Sequence, residues 1–420
     1  MGSLVNWAGN VRFQTTTLHR PQSVAQLQRL VAGSARIRAL GTAHSFSRIA
    51  DTTGDLVSVA SLPPVVELDI AGAAVKVSAG LRYSDIAPRL NAAGHALANL
   101  ASLPHISVAG AVASGTHGSG DANPGLAAAV SELELVTADG DLVTVRRESD
   151  AARFPGLVVA LGACGVVTAL TLATVPAFAV RQWVYEDIPF SAVSGQFGEI
   201  TAAGYSVSMF TDWRRPRMTQ TWLKHSGAAA KPPPASWLGG QLARADLHPV
   251  AGMPAANCTP QLGQPGPWHE RLPHFRAEFI PSSGAELQSE FLLSREHAVA
   301  ALAALDSVAT GLAPVVQVSE IRTVAADDLW LSPCYQRDSV AFHFTWVPDA
   351  QAVAPALASV EEVLAPFEPR PHWGKLTGMS PAVVAGRYPK LDDFRRLVAE
   401  FDGRGTFRND VVNAYLQPTG

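Results

Sequence analysis

The sequence predicts an α+β fold in two unlike parts, an opening region of short strands and single helices and a later region built on a large, mostly antiparallel sheet flanked by helices. Three observations predict it. Up to about residue 175, short β-type runs alternate with helical patterns and enclose two segments of small residues, a turn with one glycine at 39–46 and a stretch dense in Gly, Ser and Ala at 101–120. From 178 to 376 the texture changes: most of the tryptophans lie here, on long runs that alternate with a period of two. From 380 onward the pattern returns to helix.

Size and charge narrow the class. A chain of 420 residues, 47% hydrophobic, has enough interior for a large core and an enclosed cofactor. A formal net charge of -4 with no basic run argues against a nucleic-acid surface, which needs clustered cations to displace counterions. The first ten residues lack a charged start followed by an apolar stretch, and no apolar run reaches membrane-spanning length. Cys164, Cys258 and Cys334 are few, odd in number and far apart. That spacing predicts reduced thiols in a cytoplasmic protein, with neither a disulfide framework nor a cysteine metal site; no metal is expected.

Residues 23–32 read as a helix, with Ser23 as N-cap and Val24, Leu27, Leu30 and Val31 at helical spacing. A β-type run at 36–40 then enters the turn Gly41-Thr42-Ala43-His44-Ser45. Glycine and small hydroxyl residues make a loop whose backbone N–H groups can approach phosphate oxygens, leaving His44 to face whatever lies against it. Strands are predicted at 55–59, 65–69 and 75–78, the last two joined as a hairpin through 70–74. Ser84 and Asp85 open a helix through Ala93, closed by Gly94.

The segment 101–120 is long, almost uncharged and dense in Gly, Ser and Ala. Composition alone leaves open a flexible loop or a tightly packed small-residue helix. Ile106, Val108 and Val112 favour burial, and a buried, hydroxyl-lined, glycine-rich backbone suits a pyrophosphate. A hairpin follows at 130–137 and 142–145 across Asp139-Gly140, then a helix at 150–160 and a strand at 161–172 behind a second glycine turn.

These motifs in this order are specific. Gly-x-x-His-Ser at 41–45, Ser-Gly-Thr-His-Gly-Ser-Gly at 114–120, Thr-Ala-Asp-Gly at 137–140 and Gly-x-x-Gly-Val-Val at 162–167 make residues 10–175 resemble the FAD-binding domain of the vanillyl-alcohol-oxidase-type flavoproteins. In that family the histidine of the first loop is often joined covalently to the 8α-methyl carbon of the flavin. The resemblance puts His44 at that position, counts Leu40 among the cofactor-binding residues and assigns Gly41, Thr42, Ala43 and Ser45 to the pyrophosphate loop. It adds Ser107, Gly110, Ser114, Gly115, Thr116 and His117 along the second segment, Val167 at the adenine end, and Ala101 where oxygen approaches the flavin.

In the second part, strands are predicted at 180–188, 206–213, 218–224 and 289–293, with helices at 193–203 and 296–308. Residues 231–273, rich in Pro, Gly and Ala, read as a long excursion. On the strand 316–322 the two-residue period puts Val316, Val318, Glu320 and Arg322 on one face; on 340–346 it puts His343 with Thr345, and Phe342, Phe344 and Trp346 opposite. Taken singly, Glu320 and Arg322 are an ion pair on a solvated strand, His343 is a hydrogen-bonded core residue, and Lys375, in the turn 370–376, is a surface lysine. As a set on adjacent strands they form a polar floor for a ligand rich in hydroxyls.

Ser319-Glu320-Ile321-Arg322, Phe342-His343-Phe344-Thr345-Trp346 and His372-Trp373-Gly374-Lys375-Leu376 resemble the alditol oxidases, within the wider sugar and aldonolactone oxidase group, and this resemblance runs over nearly the whole chain. It implies an FAD-binding domain at 1–176, a substrate domain at 177–378 and C-terminal helices at 379–420 that return to the first domain. It implies a monomer that oxidises the terminal alcohol of polyols such as xylitol or sorbitol, moving hydride from C1 to flavin N5 and electrons on to O2 as H2O2. Arg322 and Lys375 would stabilise charge on the C1 oxygen, His343 would accept its proton, and Glu320, Thr345 and Ser102 would bind substrate. The alternatives are an aldonolactone oxidase or dehydrogenase of the gulonolactone type, and a flavin- or sugar-binding protein without catalysis.

Overall fold

A computed structural model describes residues 4–227, 232–279 and 285–416. The helix Val24–Gly33 starts where the Ser23 side chain accepts from Gln26 N–H, and it buries Leu27 and Val31. They pack on Ile37, Val57, Val136 and Val166. Asp55–Val57 is the middle of a three-stranded parallel sheet between Leu18–His19 and Ile37–Ala39. Beside it stands a five-stranded antiparallel sheet in the order Val66–Asp69, Ala74–Ser78, Val166–Ala173, Val130–Val136, Leu142–Arg146, with both expected hairpins present. Val75, Val77, Leu133, Leu135, Leu170 and Leu172 turn one face of this sheet into the first core, joined by Phe394, Leu397 and Val398 of the C-terminal helix Leu391–Phe401.

The second part is a ten-stranded sheet whose strands all pair antiparallel. Its middle runs Ala179–Pro189, Arg217–Ser226, Ser206–Thr211, Val316–Val324, Ser339–Trp346, Leu287–Ser294. One face carries Phe342, Phe344 and Trp346 into a core with the helices Phe190–Ala202, Ala298–Ser307 and Ala350–Leu364. Every residue of Ser206–Thr211 and Ser339–Trp346 is nevertheless buried, because the opposite face is covered as well. That second covering, by the first part of the chain and residues 240–275, encloses the site. No helix among the described residues is long and apolar enough to cross a membrane.

Several expected bounds shift for local reasons. The helix at 150–160 shrinks to Phe154–Val158, since Asp150 accepts from Arg146 N–H in a turn and Pro155 fixes the helix start. The strand at 161–172 begins only at Val166, because Leu161 has a positive φ of 55°. The strand at 55–59 ends at Val57, where Ser58 caps a 3-10 turn, and 206–213 ends at Thr211 before Trp213, also at positive φ. Segment 101–120 holds one short helix, Val108–Ala113, between loops. A bulge between Val316 and Val318 corrects the face assignment: Val316 joins the helix-side core, while Gln317 and Val318 both line the cavity with Glu320 and Arg322. Of the 231–273 excursion, Lys231 lies outside the described residues, as do Met1 to Ser3 and the last four residues; Ser236–Trp237, Gly240–Leu242 and Gly266–Pro267 join the edge of the large sheet, and His248, Pro249, Val250, Met253 and Asn257 line the cavity.

Candidate active site

A cavity of about 560 Å³ lies between the two parts. Its upper wall is the loop after Ile37–Ala39 and the segment around Val108–Ala113. Leu40, Gly41, Thr42, Ala43, His44 and Ser45 all line it, as do Ala101, Ser102, Ser107, Gly110, Ser114, Thr116, His117 and Val167. Gly115 does not. It takes a φ of +69° behind the wall, with Pro333 against the position a Cβ would occupy, and so turns the chain after the helix and leaves the lining to its neighbours.

The wall fits a dinucleotide cofactor. Among the described residues the N–H groups of Gly41, Thr42, Ala43, His44 and Ser45 meet no acceptor, so five successive donors are left at the cavity wall, as in an anion cradle. A Cβ on Gly41 would stand 2.4 Å from Ser107 Oγ, so glycine is what lets the two segments close on each other. Thr42 Oγ1 ties them by accepting from Ser107 N–H at 3.3 Å. The imidazole of His44 stacks on Trp7, and its Nδ1 is buried without a hydrogen-bond partner. Burial, then the neighbouring His105, pulls the His44 pKa down to about 4, so the ring is neutral near pH 7.

The floor is built by strand register. Glu290 and Glu320 stand opposite His343 from the strands on its two sides. Glu290, 1% exposed, collects the cations: Arg322 Nη2 donates to its Oε1 at 2.6 Å, and Lys375 Nζ lies 2.8 Å from its Oε2. His117 Nε2 comes within 3.3 Å of the same carboxylate, joining the cofactor wall to the floor. Burial opposes ionisation of Glu290, but Lys375, His117 and Arg322 outweigh it and hold the carboxyl well below its usual range. Glu320 is likewise held down against burial by Arg322 and His274. Its Oε1 takes the His274 ring N–H at 2.7 Å, while Oε2 lies 3.6 Å from Arg322 Nε and 3.9 Å from His343 Nδ1.

Arg322 and Lys375 differ in consequence. Burial lowers both, yet Glu320 and Glu290 more than restore Arg322, while Lys375 stays below its ordinary value. Burial, then Lys375, pushes His343 well below 6.5, so it is neutral, and its Nε2 is buried without a partner at the cavity. Thr345 lines the cavity beside it, and Arg322 Nη1 donates to Ser102 Oγ at 3.4 Å. Lys375 is therefore no surface lysine. Its turn continues the edge of the sheet, with His372 N–H donating to Glu290 O and Leu376 N–H to Gln288 O. The turn also clasps the upper wall, where Phe46 N–H donates to Gly374 O at 2.7 Å.

Sequence reasoning missed Glu290, His274, His372 and Trp7. Glu290 lay within a predicted strand, the one charged residue in Ser-Glu-Phe-Leu-Leu, and that oddity was its only signal. His274 sits in the excursion, which has no period to read.

Comparison with known proteins adds identity to this geometry. A family model described as an FAD binding domain matches residues 16–146, and one described as D-arabinono-1,4-lactone oxidase matches 286–416. An alditol oxidase from a Streptomyces species is 52% identical over 99% of both chains. An L-gulono-1,4-lactone dehydrogenase of Mycobacterium tuberculosis is 28% identical over 98% of this chain and 99% of its own. Among solved structures, cholesterol oxidase from Brevibacterium sterolicum superposes with a TM-score of 0.79 over 99% of this chain and 96% of its own, at 16% identity, a likeness of fold alone.

Proposed function

The chain belongs to the alditol oxidases of the vanillyl-alcohol-oxidase-type FAD flavoproteins, and on that premise we propose that it oxidises the terminal primary alcohol of acyclic polyols such as xylitol and sorbitol to the aldose, with reduction of O2 to H2O2. The bound FAD supplies the two-electron acceptor for the carbinol hydrogen and the route of the electrons to O2. The protein's side chains do the remainder.

The observation that carries this reading is the convergence of Arg322 and Lys375 on one buried carboxylate at the cavity floor, beside a neutral histidine. An alcohol that gives up hydride from carbon develops charge on oxygen, and fixed cations at that oxygen stabilise it without reorganising. Arg322 and Lys375 take that role. His343, through its unpartnered Nε2, accepts the hydroxyl proton. The two cations are matched by Glu290 and Glu320, which suits an uncharged polyol. Glu320, Thr345 and Ser102 bind its inner hydroxyls, and such a site rejects analogues lacking them because its own polar groups would be left unpaired.

On the cofactor side, His44 is the covalent anchor in this reading. Its neutral ring and unpartnered Nδ1 support that. Ala101, buried on the wall, sets the approach of oxygen. Residues 1–176 and 379–420 form the FAD-binding unit and 177–378 the substrate unit of a monomer; the three buried free cysteines suit the cytoplasm.

The test follows peroxide and an artificial electron acceptor in parallel, with xylitol, sorbitol and gulono-1,4-lactone as substrates. Peroxide with the polyols is expected, and Lys375→Met should lower kcat/KM by about a hundredfold or more. Turnover of the lactone alone would favour the lactone reading that the 28% identical relative supports, and acceptor reduction without peroxide would make the enzyme a dehydrogenase. No flavin bleaching with any substrate would leave a binding protein. Acid precipitation should carry the yellow flavin down with the protein.

A further inference from the structure

Residues 4–13 double back on themselves, with Asn6 N–H donating to Val11 O, Phe13 N–H to Leu4 O, and the Asn6 side chain accepting from Val11 N–H. The turn so formed grips the loop that carries His44. Trp7 N–H donates to Ala43 O at 2.8 Å, the Asn6 amide donates to Ser45 O at 2.9 Å, and the Asn10 amide donates to Phe46 O at 2.9 Å. Ala43 is held at a φ of +57°, a backbone conformation that a residue with a side chain keeps only where its surroundings impose it. From this clamp the Trp7 indole lies parallel to the His44 imidazole, ring centroids 5.3 Å apart at 19°, and Trp7 itself lines the cavity.

We infer that Trp7 is the positioning residue for covalent flavin attachment: its indole face fixes the His44 imidazole in the orientation from which a ring nitrogen bonds the 8α-methyl carbon. The inference rests on the reading of His44 as the anchor. Attachment replaces one C–H of the methyl group and the imidazole N–H by a C–N bond. The two electrons and two protons released reduce the isoalloxazine, and O2 then takes them as H2O2. Such a reaction is intramolecular once FAD is bound, so its rate depends on how narrowly the imidazole is aimed. The ring stack is not what folds the loop. Leu40 N–H to Val57 O, Phe46 N–H to Gly374 O and Ser47 Oγ to Trp373 O hold it from the other side. Removing the indole therefore frees the imidazole more than the backbone. Burial also keeps the ring in its neutral, nucleophilic form.

The test compares full-length wild type with Trp7→Ala, Trp7→Leu, Trp7→Phe and His44→Ala, each purified early after induction and again later. Total flavin is read from the visible spectrum, and attached flavin from what stays with the acid-precipitated protein. Wild type should retain its flavin and His44→Ala should release all of it. Trp7→Ala and Trp7→Leu should bind flavin yet show attachment slowed by about fivefold, the range expected for one aromatic pair, with Trp7→Phe largely restoring it. Attachment in Trp7→Ala and Trp7→Leu at the wild-type rate overturns the inference and leaves His44 as the anchor. Release of all flavin from wild type overturns the anchor reading, and the inference with it. Should Trp7→Ala fail to fold, the pair Trp7→Phe and Trp7→Leu decides: faster attachment with phenylalanine supports the stack, and equal rates overturn it.

Discussion

Lys375 Nζ lies 2.8 Å from Oε2 of Glu290, and the other oxygen of that carboxylate is taken by Arg322. One buried anion therefore holds both cations of the floor in place. Glu290→Gln keeps the shape and removes the charge, leaving two buried cations to share Glu320. Breaking a buried pair in this way typically forfeits about 2–5 kcal/mol, so kcat/KM for a polyol should fall by about a hundredfold. The pH profile is the sharper measure. Burial already lowers the Lys375 pKa and Glu290 partly restores it, so without the carboxylate it falls further. The alkaline limb of kcat/KM should move to lower pH, and a limb that stays put would belong to another group.

The buried histidines set an acid limit on stability. His274, His343 and His372 all have pKa values lowered by burial, His372 to about 3, against about 6.5 in an unfolded chain. As pH falls below about 6.5 the unfolded chain gains protons that the folded protein refuses, so stability drops by up to about 1.4 kcal/mol per pH unit for each histidine. Glu290 and Glu320 act in the same sense lower down: their folded values are depressed, so their contribution is present above about pH 4.3 and is lost as pH falls through that range. Asp327, raised to about 6 by burial, opposes one histidine between about pH 4 and 6. The melting temperature should fall by about 3 °C per unit as pH drops from 6.5 towards 4.5. His372→Asn retains an acceptor for Gly374 N–H and cannot titrate, so it should make the slope shallower by about half. A slope equal to wild type would remove His372 from the account.

Much of this site was legible because strands declare their faces. The two-residue period placed His343 and Thr345 away from Phe342, Phe344 and Trp346, and the structure keeps that division. It failed at Val316, since alternation cannot register the extra residue of a bulge. Glu290 was invisible for a different reason: its role comes from register, opposite His343 and across it from Glu320, and pairing between distant strands leaves no local trace. His274 and Trp7 lie in segments without periodicity, where only the three-dimensional neighbour reveals what a side chain is for.

The close approach of Gly41 to Ser107 makes a double-mutant test of the cofactor wall. A Cβ at position 41 meets one atom closer than 3.4 Å, the Ser107 hydroxyl oxygen at 2.4 Å. Gly41→Ala should then displace that hydroxyl and weaken FAD binding by about tenfold, read by fluorescence titration of deflavinated protein of a His44→Ala background. Ser107→Ala removes the obstructing atom along with its own contact. The double variant should bind no more weakly than Ser107→Ala alone, a non-additivity expected of residues that share one contact. Additive losses would mean that the glycine is needed for its backbone and not for the space.

Outside the floor, Lys224 is the most buried cation among the described residues, 1% exposed, with a pKa lowered to about 7 by burial. Its ammonium donates to Arg271 O at 2.6 Å and Pro273 O at 3.0 Å, immediately before His274, whose ring holds Glu320. The lysine thus fixes the wall that fixes the carboxylate. In Lys224→Met, Pro273 O keeps Thr259 Oγ1 as a donor, whereas Arg271 O loses its partner, a loss of about 1–3 kcal/mol for a buried carbonyl. Because the fault is local, kcat should stay within about twofold while KM for the polyol rises by about three- to tenfold as Glu320 loses its orientation. Backbone amides between 240 and 275 should exchange faster with deuterium, and those of Ser339–Trp346 should not. A raised KM with unchanged exchange would mean that Lys224 reaches Glu320 through its charge alone, and unchanged values of both would free the wall from the lysine.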